Sequence, residues 1–350
     1  MRAGDRPAVA IAGVGQAGPV AADSRSIPEM VLAAVEEALA DAAIGFDGVE
    51  AVVTASVDLF DGLTASNVAI TEVVGAVMRP ETRIAGDGLC AAIHGACELR
   101  AGACETVLAV AHGKASMAPH WALTEWAMDP VFLQPLGIDF LVCAGLQACA
   151  LAQGDGGATE RWAELAARRA AAGDAAIAPP RSAAEILASP VLASPLRRGM
   201  AAPLGDGACA VVLRAAAGGP GEAPVRIAGA GWDLEPHSPG ERDLARWHGL
   251  ERACARAGLD RTDPGLELAE PSCLFAHEEE LFRAAAGIGE EAPLSPGGGL
   301  FAGTAPHVAG LSRLIACARA IRDGAARRAL AHGAWGPAGQ AHAVAVLEAW

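Results

Sequence analysis

Two similar seven-residue runs indicate that this chain is internally duplicated. Residues 9–15 read VAIAGVG, and residues 225–231 read VRIAGAG. Each run has the character of a buried strand and is followed by a helical pattern and by further apolar strand-like runs. The same order of elements in both parts predicts two related halves within one folded chain.

The first half alternates strand-like and helical segments. Apolar runs at residues 7–14, 49–56 and 105–111 predict strands, and helical patterns follow at residues 26–43 and 65–77. This alternation is typical of a mostly parallel sheet with helices on both faces, an α/β fold. Residues 215–224 are rich in Gly, Pro and Ala and have the composition of a linker.

The linker divides the chain in two. We expect an N-terminal half over residues 1–220, with an inserted loop region at about residues 112–200, and a C-terminal half over residues 221–350.

Composition excludes several classes of protein. The net charge of −15 argues against nucleic acid and anionic membranes as partners. The nine cysteines have no regular spacing, which is typical of reduced cytoplasmic thiols and not of a disulfide framework. No Cys/His spacing suggests a metal site, and no apolar run is long enough to predict a membrane span. We expect a cytoplasmic protein without a bound metal.

The segment at residues 85–96, AGDGLCAAIHGA, predicts a sharp turn from a strand into a helix. Cys90 then lies in the first turn of that helix. Unpaired N–H groups create a positive potential there, which favours the thiolate. The pattern supports two interpretations: a reactive nucleophile or a small buried apolar side chain.

Three loops of the second half follow predicted strands, where open α/β sheets place their active sites. They lie at residues 269–273, 297–307 and 332–337. The glycine loop lacks the Gly-Lys-Ser/Thr of a phosphate-binding loop, so we interpret it as a place for close ligand approach or for oxyanion-binding N–H groups. The oxyanion candidates are Gly298, Gly299 and Gly336.

Three further side chains are candidates for chemistry. His307 is either a surface histidine at a helix start or a base, and His332 is either a base or a core histidine. Lys114, after a predicted strand, is either a solvated charge or a phosphate contact.

Several of these segments together resemble the thiolase superfamily, in particular the sterol-carrier-protein-type and lipid-transfer-protein-like thiolases, relatives of acetyl-CoA acetyltransferase. The matching segments are DGLCA at residues 87–91, SPLR at 194–197, PLGDGACAVVL at 203–213, VRIAG at 225–229 and SPGGGL at 295–300. The resemblance implies a five-layer α-β-α-β-α body of two duplicated halves, commonly dimeric. It also implies that Cys90 accepts an acyl group from a CoA thioester and that no separate cofactor is bound.

The chain departs from the family pattern at two places and keeps it at a third. Residues 303–306, GTAP, replace the family's Gly-His-Pro, so that His307 is displaced. Residues 269–272, AEPS, stand where relatives carry His, Asn or Tyr, and the chain has no tyrosine. His332 with Gly333 matches the family's histidine-glycine step.

Sequence and resemblance together predict an acyltransferase of lipid metabolism that acts on an acyl-CoA or related thioester. Cys90 is the expected nucleophile, with His332 and His307 as base or oxyanion donor and Lys114 as the contact to CoA. One alternative is a silent subunit that supports an active thiolase or a zinc-ribbon/OB-fold partner. Another is an aldolase-type lyase that uses Glu270 or His307 as base on a β-hydroxyacyl thioester. We expect a homodimer or a hetero-oligomer.

Overall fold

A computed structural model describes residues 7–174, 177–216, 224–259, 265–289 and 292–350. The strands are β1 (Ala8–Val20), β2 (Ala51–Ala55), β3 (Glu81–Ile84), β4 (Thr106–Lys114), β5 (Val191–Ala193), β6 (Leu196–Arg197), β7 (Asp206–Ala216), β8 (Val225–Leu234), β9 (Leu268–Glu270), β10 (Arg328–Trp335) and β11 (Ala341–Ala349). The α-helices are α1 (Ile27–Asp41), α2 (Asp58–Asp61), α3 (Gly88–Ala101), α4 (His120–Thr124), α5 (Phe140–Leu151), α6 (Ala158–Ala172), α7 (Ala183–Ala188), α8 (His248–Arg256), α9 (Glu278–Ala286) and α10 (Ala309–Arg322).

Nine strands pair in the order β3-β2-β4-β7-β1-β8-β11-β10-β9. The strands of the first half are contiguous in this order, as are those of the second half. They meet where β1 pairs with β8 over only two residue pairs, Val9 with Ile227 and Ala10 with Arg226.

The prediction that the sheet is mostly parallel is wrong. Five of the eight pairings between these strands in the described part of the chain are antiparallel. Two strands explain the difference. Strand β7 runs antiparallel to both β4 and β1, and strand β11 runs antiparallel to both β10 and β8. Apolar runs buried on both faces suit either direction, so the sequence pattern did not distinguish them.

Side-chain alternation shows the five layers. Along β11, Ala345 faces a central cluster and Val346 faces an outer one. The central cluster joins strands of both halves to α3 and α10, for example through Leu99 and Leu314. Helix α1 covers the outer face of the first half, and α8 and α9 cover that of the second. The order is therefore helix, sheet, two central helices, sheet and helices, as the α-β-α-β-α expectation requires.

Some local predictions differ from the structure. The helix expected at residues 65–77 is only a short 3-10 turn, Ser66–Ile70. The carboxylate of Asp58 binds both the N–H and the hydroxyl of Ser66, which holds this segment in a turn. Residues 217–223 of the predicted linker lie outside the described residues.

Candidate functional site

Asp87 lies where the two central helices begin. Its Oδ1 accepts the N–H of Leu89 at 2.8 Å as the N-cap of α3, and its Oδ2 accepts the N–H of Gly310 at 2.9 Å in the first turn of α10. Both helix N-termini therefore favour a negative charge at this carboxyl group. Burial nevertheless raises the pKa of Asp87 to about 7, against the two N–H donors that lower it. The group is thus poised between its two protonation states at neutral pH.

A cavity of about 90 Å³ adjoins Asp87. Its polar and glycine lining residues are Asp87, His120, Ser272, Glu278, His307, Gly336 and Gly339, and its aromatic lining residues are Phe60, Trp121, Phe140 and Trp335. A small apolar enclosure with a few convergent polar groups is the usual form of a ligand site.

Glu278 is a second carboxyl group with a shifted pKa in the same cavity. Its Oε2 accepts the N–H groups of Leu274 at 2.7 Å and Phe275 at 3.1 Å, which fixes the side chain at the start of α9. Burial raises the pKa of Glu278 to about 7, while these two donors lower it. Two carboxyl groups that titrate near neutrality in one cavity are typical of acid–base sites.

His307 is distant from Asp87 in the sequence but lines the same cavity. Its backbone carbonyl accepts the N–H of Gly88 at 2.7 Å, and its φ of 62° is a left-handed conformation. Burial lowers the pKa of His307 to about 3, and the neighbouring His120 and His112 lower it further. Its Nε2 is buried without a hydrogen-bond partner among the described residues. The imidazole is therefore neutral at physiological pH and has an unused hydrogen-bonding atom.

A larger groove of about 490 Å³ opens beside the cavity, and His120, Trp121 and Leu204 line both. Among the described residues that line this groove, Arg181 and Arg198 carry a charge and none is a carboxylate. The groove therefore has two cationic side chains in a protein whose net charge is −15.

Cys90 does not have the predicted environment. The strand–turn–helix elbow is present, but Cys90 is 1% exposed and packs in the central apolar cluster. It lines neither the cavity nor the groove. Burial raises the pKa of the Cys90 thiol well above its usual value, and Asp87 adds to the shift. Desolvation thus opposes the activation of the thiolate that the helix N-terminus favours, and the role of Cys90 as nucleophile stays a prediction.

His332 lies on the opposite face of the sheet from α3. Its neighbours Ala331 and Gly333 face the central layer, whereas His332 packs against Trp247 and Phe282. Its Nδ1 accepts the N–H of Ser272 at 3.2 Å, and its Nε2 lies 3.1 Å from Nδ1 of His342. The structure therefore does not bring His332 to Cys90 and gives it the environment of a core histidine.

Four other predicted site residues lie outside the lining of the cavity. Glu270 binds Arg313 at 2.9 Å and Ser295 at 2.9 Å, and the ammonium of Lys114 donates to Asp206 and to the carbonyl oxygens of Asp23 and Arg25. The N–H of Gly298 donates to Ser295, and the loop of Gly298 and Gly299 packs near α6. Gly336, in contrast, does line the cavity.

Sequence reasoning missed Asp87, Glu278 and His120 as site residues. Asp87 had a signal, since Asp before a helical pattern is a typical N-cap and it lay inside the elbow motif. Glu278 stands in a run of three glutamates, and nothing in the sequence separates it from its neighbours.

The architecture is that of a thiolase-like α/β protein, and comparison with solved structures agrees. The chain is similar to a monomeric SCP2-thiolase-like protein type 1 (STLP1) from Mycobacterium smegmatis, with a TM-score of 0.76, 18% identity and coverage of 98% of this chain and 77% of that chain. It is also similar to an Ltp2-ChsH2(DUF35) aldolase, with a TM-score of 0.79, 17% identity and coverage of 98% of both chains. At these identities the comparison shows the fold. No protein-family model and no curated protein sequence matches the chain.

None of the helices in the described part of the chain is both long enough and apolar enough to cross a membrane.

Proposed function

We propose that this protein is an aldolase-type carbon–carbon lyase that cleaves a β-hydroxyacyl thioester by acid–base catalysis. The observation that carries the proposal is the presence of Asp87 and Glu278, each with a pKa raised to about 7, around one small cavity. Groups whose pKa values lie near the working pH are the most effective proton acceptors and donors. The aldolase named among the structural neighbours supports the same class of reaction.

In the proposed reaction, one residue of the site carries out each proton transfer. Ionised Asp87, favoured by the two helix N-termini, removes the proton of the β-hydroxyl group. The bond between Cα and Cβ breaks, the β-carbon leaves as an aldehyde or ketone, and the electron pair moves to the thioester oxygen as an enolate. Protonated Glu278 then delivers a proton to Cα, which yields the shortened acyl thioester.

The groove supports the assignment of a thioester substrate. Its apolar walls suit an extended chain, and Arg181 and Arg198 suit an anionic carrier such as the phosphates of CoA. The reacting end then enters the cavity through the boundary that groove and cavity share.

The test is cleavage of short- and long-chain 3-hydroxyacyl-CoA, followed by mass spectrometry of the acyl-CoA released. We expect Asp87→Asn and Glu278→Gln each to lower kcat by roughly 10²–10⁴-fold, the usual contribution of a positioned acid or base. The pH–rate profile should be bell-shaped with its maximum near pH 7, because Asp87 must be ionised while Glu278 is protonated. Activity that is unchanged in both variants would contradict the proposal.

Cys90→Ala distinguishes lyase from acyl transfer, the other activity that the resemblance implies. The lyase mechanism expects wild-type activity in this variant, since Cys90 lines neither the cavity nor the groove. Acyl transfer expects an acyl adduct by intact mass in the wild type and its loss in Cys90→Ala. Such an adduct would replace the lyase with the transferase.

The aldolase-named neighbour is a complex of Ltp2 with ChsH2(DUF35), which supports assembly of this chain with a second chain, whereas the acid–base groups proposed here all belong to this chain. If this chain is instead a silent subunit, the purified protein will cleave none of the thioesters at any pH, which is the outcome that favours that alternative.

A further inference from the structure

His120 occupies the junction of the cavities. It lines the 90 Å³ cavity, the 490 Å³ groove and a third cavity of about 10 Å³ bordered by Asp61 and His307. Among the residues that the structure describes, it alone lines all three. A substrate that extends from the groove to Asp87 and Glu278 therefore passes its imidazole.

Aromatic contacts hold the His120 ring at this junction. The ring stacks on Phe60, with centroids 4.6 Å apart and planes at 28°, and meets the edge of Trp121 at 5.4 Å. Phe60 in turn contacts His307 at 5.1 Å. Neither ring nitrogen of His120 makes a hydrogen bond within the described ranges of the chain, so both remain available to a ligand.

The ring is uncharged under physiological conditions. Burial lowers the pKa of His120 to about 4. A neutral imidazole carries one N–H donor, and neutral histidine is able to polarise a carbonyl group in this form. The junction thus offers a hydrogen bond without placing a positive charge beside Asp87.

The geometry of the substrate puts its thioester group at the same place. In a β-hydroxyacyl thioester the carbonyl carbon is separated from the β-carbon by Cα alone. A substrate with its β-carbon at Asp87 and its carrier in the groove would have its carbonyl group between them, on the side of the cavity that His120 lines. Negative charge develops on this oxygen as the bond between Cα and Cβ breaks, and a positioned donor there stabilises the transition state.

We infer that His120 is a catalytic residue that donates a hydrogen bond to the thioester oxygen and stabilises the enolate. The inference rests on the proposed lyase function. It adds the oxyanion donor that Gly298 and Gly299 do not supply in this fold.

The experiment compares His120→Ala and His120→Gln with His94→Ala, a histidine that pairs with Glu98 on the surface of α3. We expect His120→Ala to lower kcat by about 10²–10³-fold with KM within a few-fold of wild type, as for loss of an oxyanion donor. His120→Gln, which retains a neutral N–H donor, should recover at least tenfold of that loss. His94→Ala should match the wild type.

A second measurement isolates the enolate. In D₂O the wild type should exchange the Cα hydrogens of acetyl-CoA, and His120→Ala should slow this exchange by a factor similar to its loss in kcat. A raised KM without loss of exchange, or no rescue by His120→Gln, would show that His120 only shapes the passage and would overturn the inference. Wild-type protein that neither cleaves nor exchanges overturns the lyase itself, and the role of His120 falls with it. Cleavage by wild type with unaffected His120 variants overturns the inference alone.

Discussion

At the scale of single residues, the elbow before α3 separates two side chains that are three positions apart. Asp87 caps the helix and borders the cavity, whereas Cys90 is one turn further along and packs into the core. At the same helix start, the carboxyl group of Asp87 therefore reaches the cavity and the thiol of Cys90 does not. A carboxyl group supports proton transfer, and a buried thiol with a raised pKa is a poor nucleophile.

Glu278 makes the stability of the protein depend on pH. Its pKa is raised from 4.5 to about 7. Its contribution to the free energy of unfolding is therefore fully present below about pH 4.5 and is lost as the pH rises to about 7. Glu278→Gln removes this dependence while its carbonyl oxygen still accepts the N–H groups of Leu274 and Phe275. Between pH 4.5 and 7.5 we expect the wild type to lose up to about 3 kcal/mol more than the variant, by urea unfolding. Parallel losses in the two proteins would contradict the shift.

At the scale of elements, successive residues of strand β10 lie on opposite faces of the sheet and have different neighbours. His332 joins His342 in the outer layer, and Gly333 lies against Asp87 and Leu89. A Cβ atom at Gly333 would clash with the Asp87 carboxylate, so the approach of β10 to the helix N-termini requires a glycine there. The position of the Asp87 carboxyl group thus depends on a strand from the other half of the chain.

Gly333→Ala tests this packing. The added methyl group should displace Asp87, lower stability by about 1–3 kcal/mol, the usual cost of overpacking, and reduce activity. Gly297→Ala is the matched control, because its Cβ would meet open space. Thermal unfolding and kcat of the two variants decide the matter, and a Gly333→Ala protein as stable and active as the control would refute the stated contact.

At the scale of the whole molecule, β3 forms one end of the nine-stranded sheet and, among the described strands, pairs only with β2. Before it lies Met78, which is 99% exposed. An open edge beside exposed apolar side chains is a site of association in many proteins. In the part of the chain that the structure describes this edge is open, so we expect the predicted homodimer or hetero-oligomer to form through it.

Light scattering at micromolar concentration measures this association. We expect the mass of more than one chain for the wild type, and a smaller mass for Met78→Glu, which places a charge at the edge. Met117→Glu, at another exposed methionine, serves as the control and should keep the wild-type mass. A mass equal to one chain for the wild type would exclude self-association at this edge.

The sequence by itself determined the α/β class, the elbow at residues 85–90 and, through its resemblance to thiolases, the five layers. These depend on local periodicity, capping and glycine turns, which neighbouring residues in the chain dictate. Strand direction was decided only by the tertiary structure, because buried apolar strands read alike in either orientation. The environment of the candidate site residues was also decided only by the tertiary structure. The face of β10 on which His332 lies depends on residues far apart in the chain, and so does the burial that raises the pKa values of Asp87, Glu278 and Cys90. Desolvation is a property of the packed interior, and no spacing in the sequence records it.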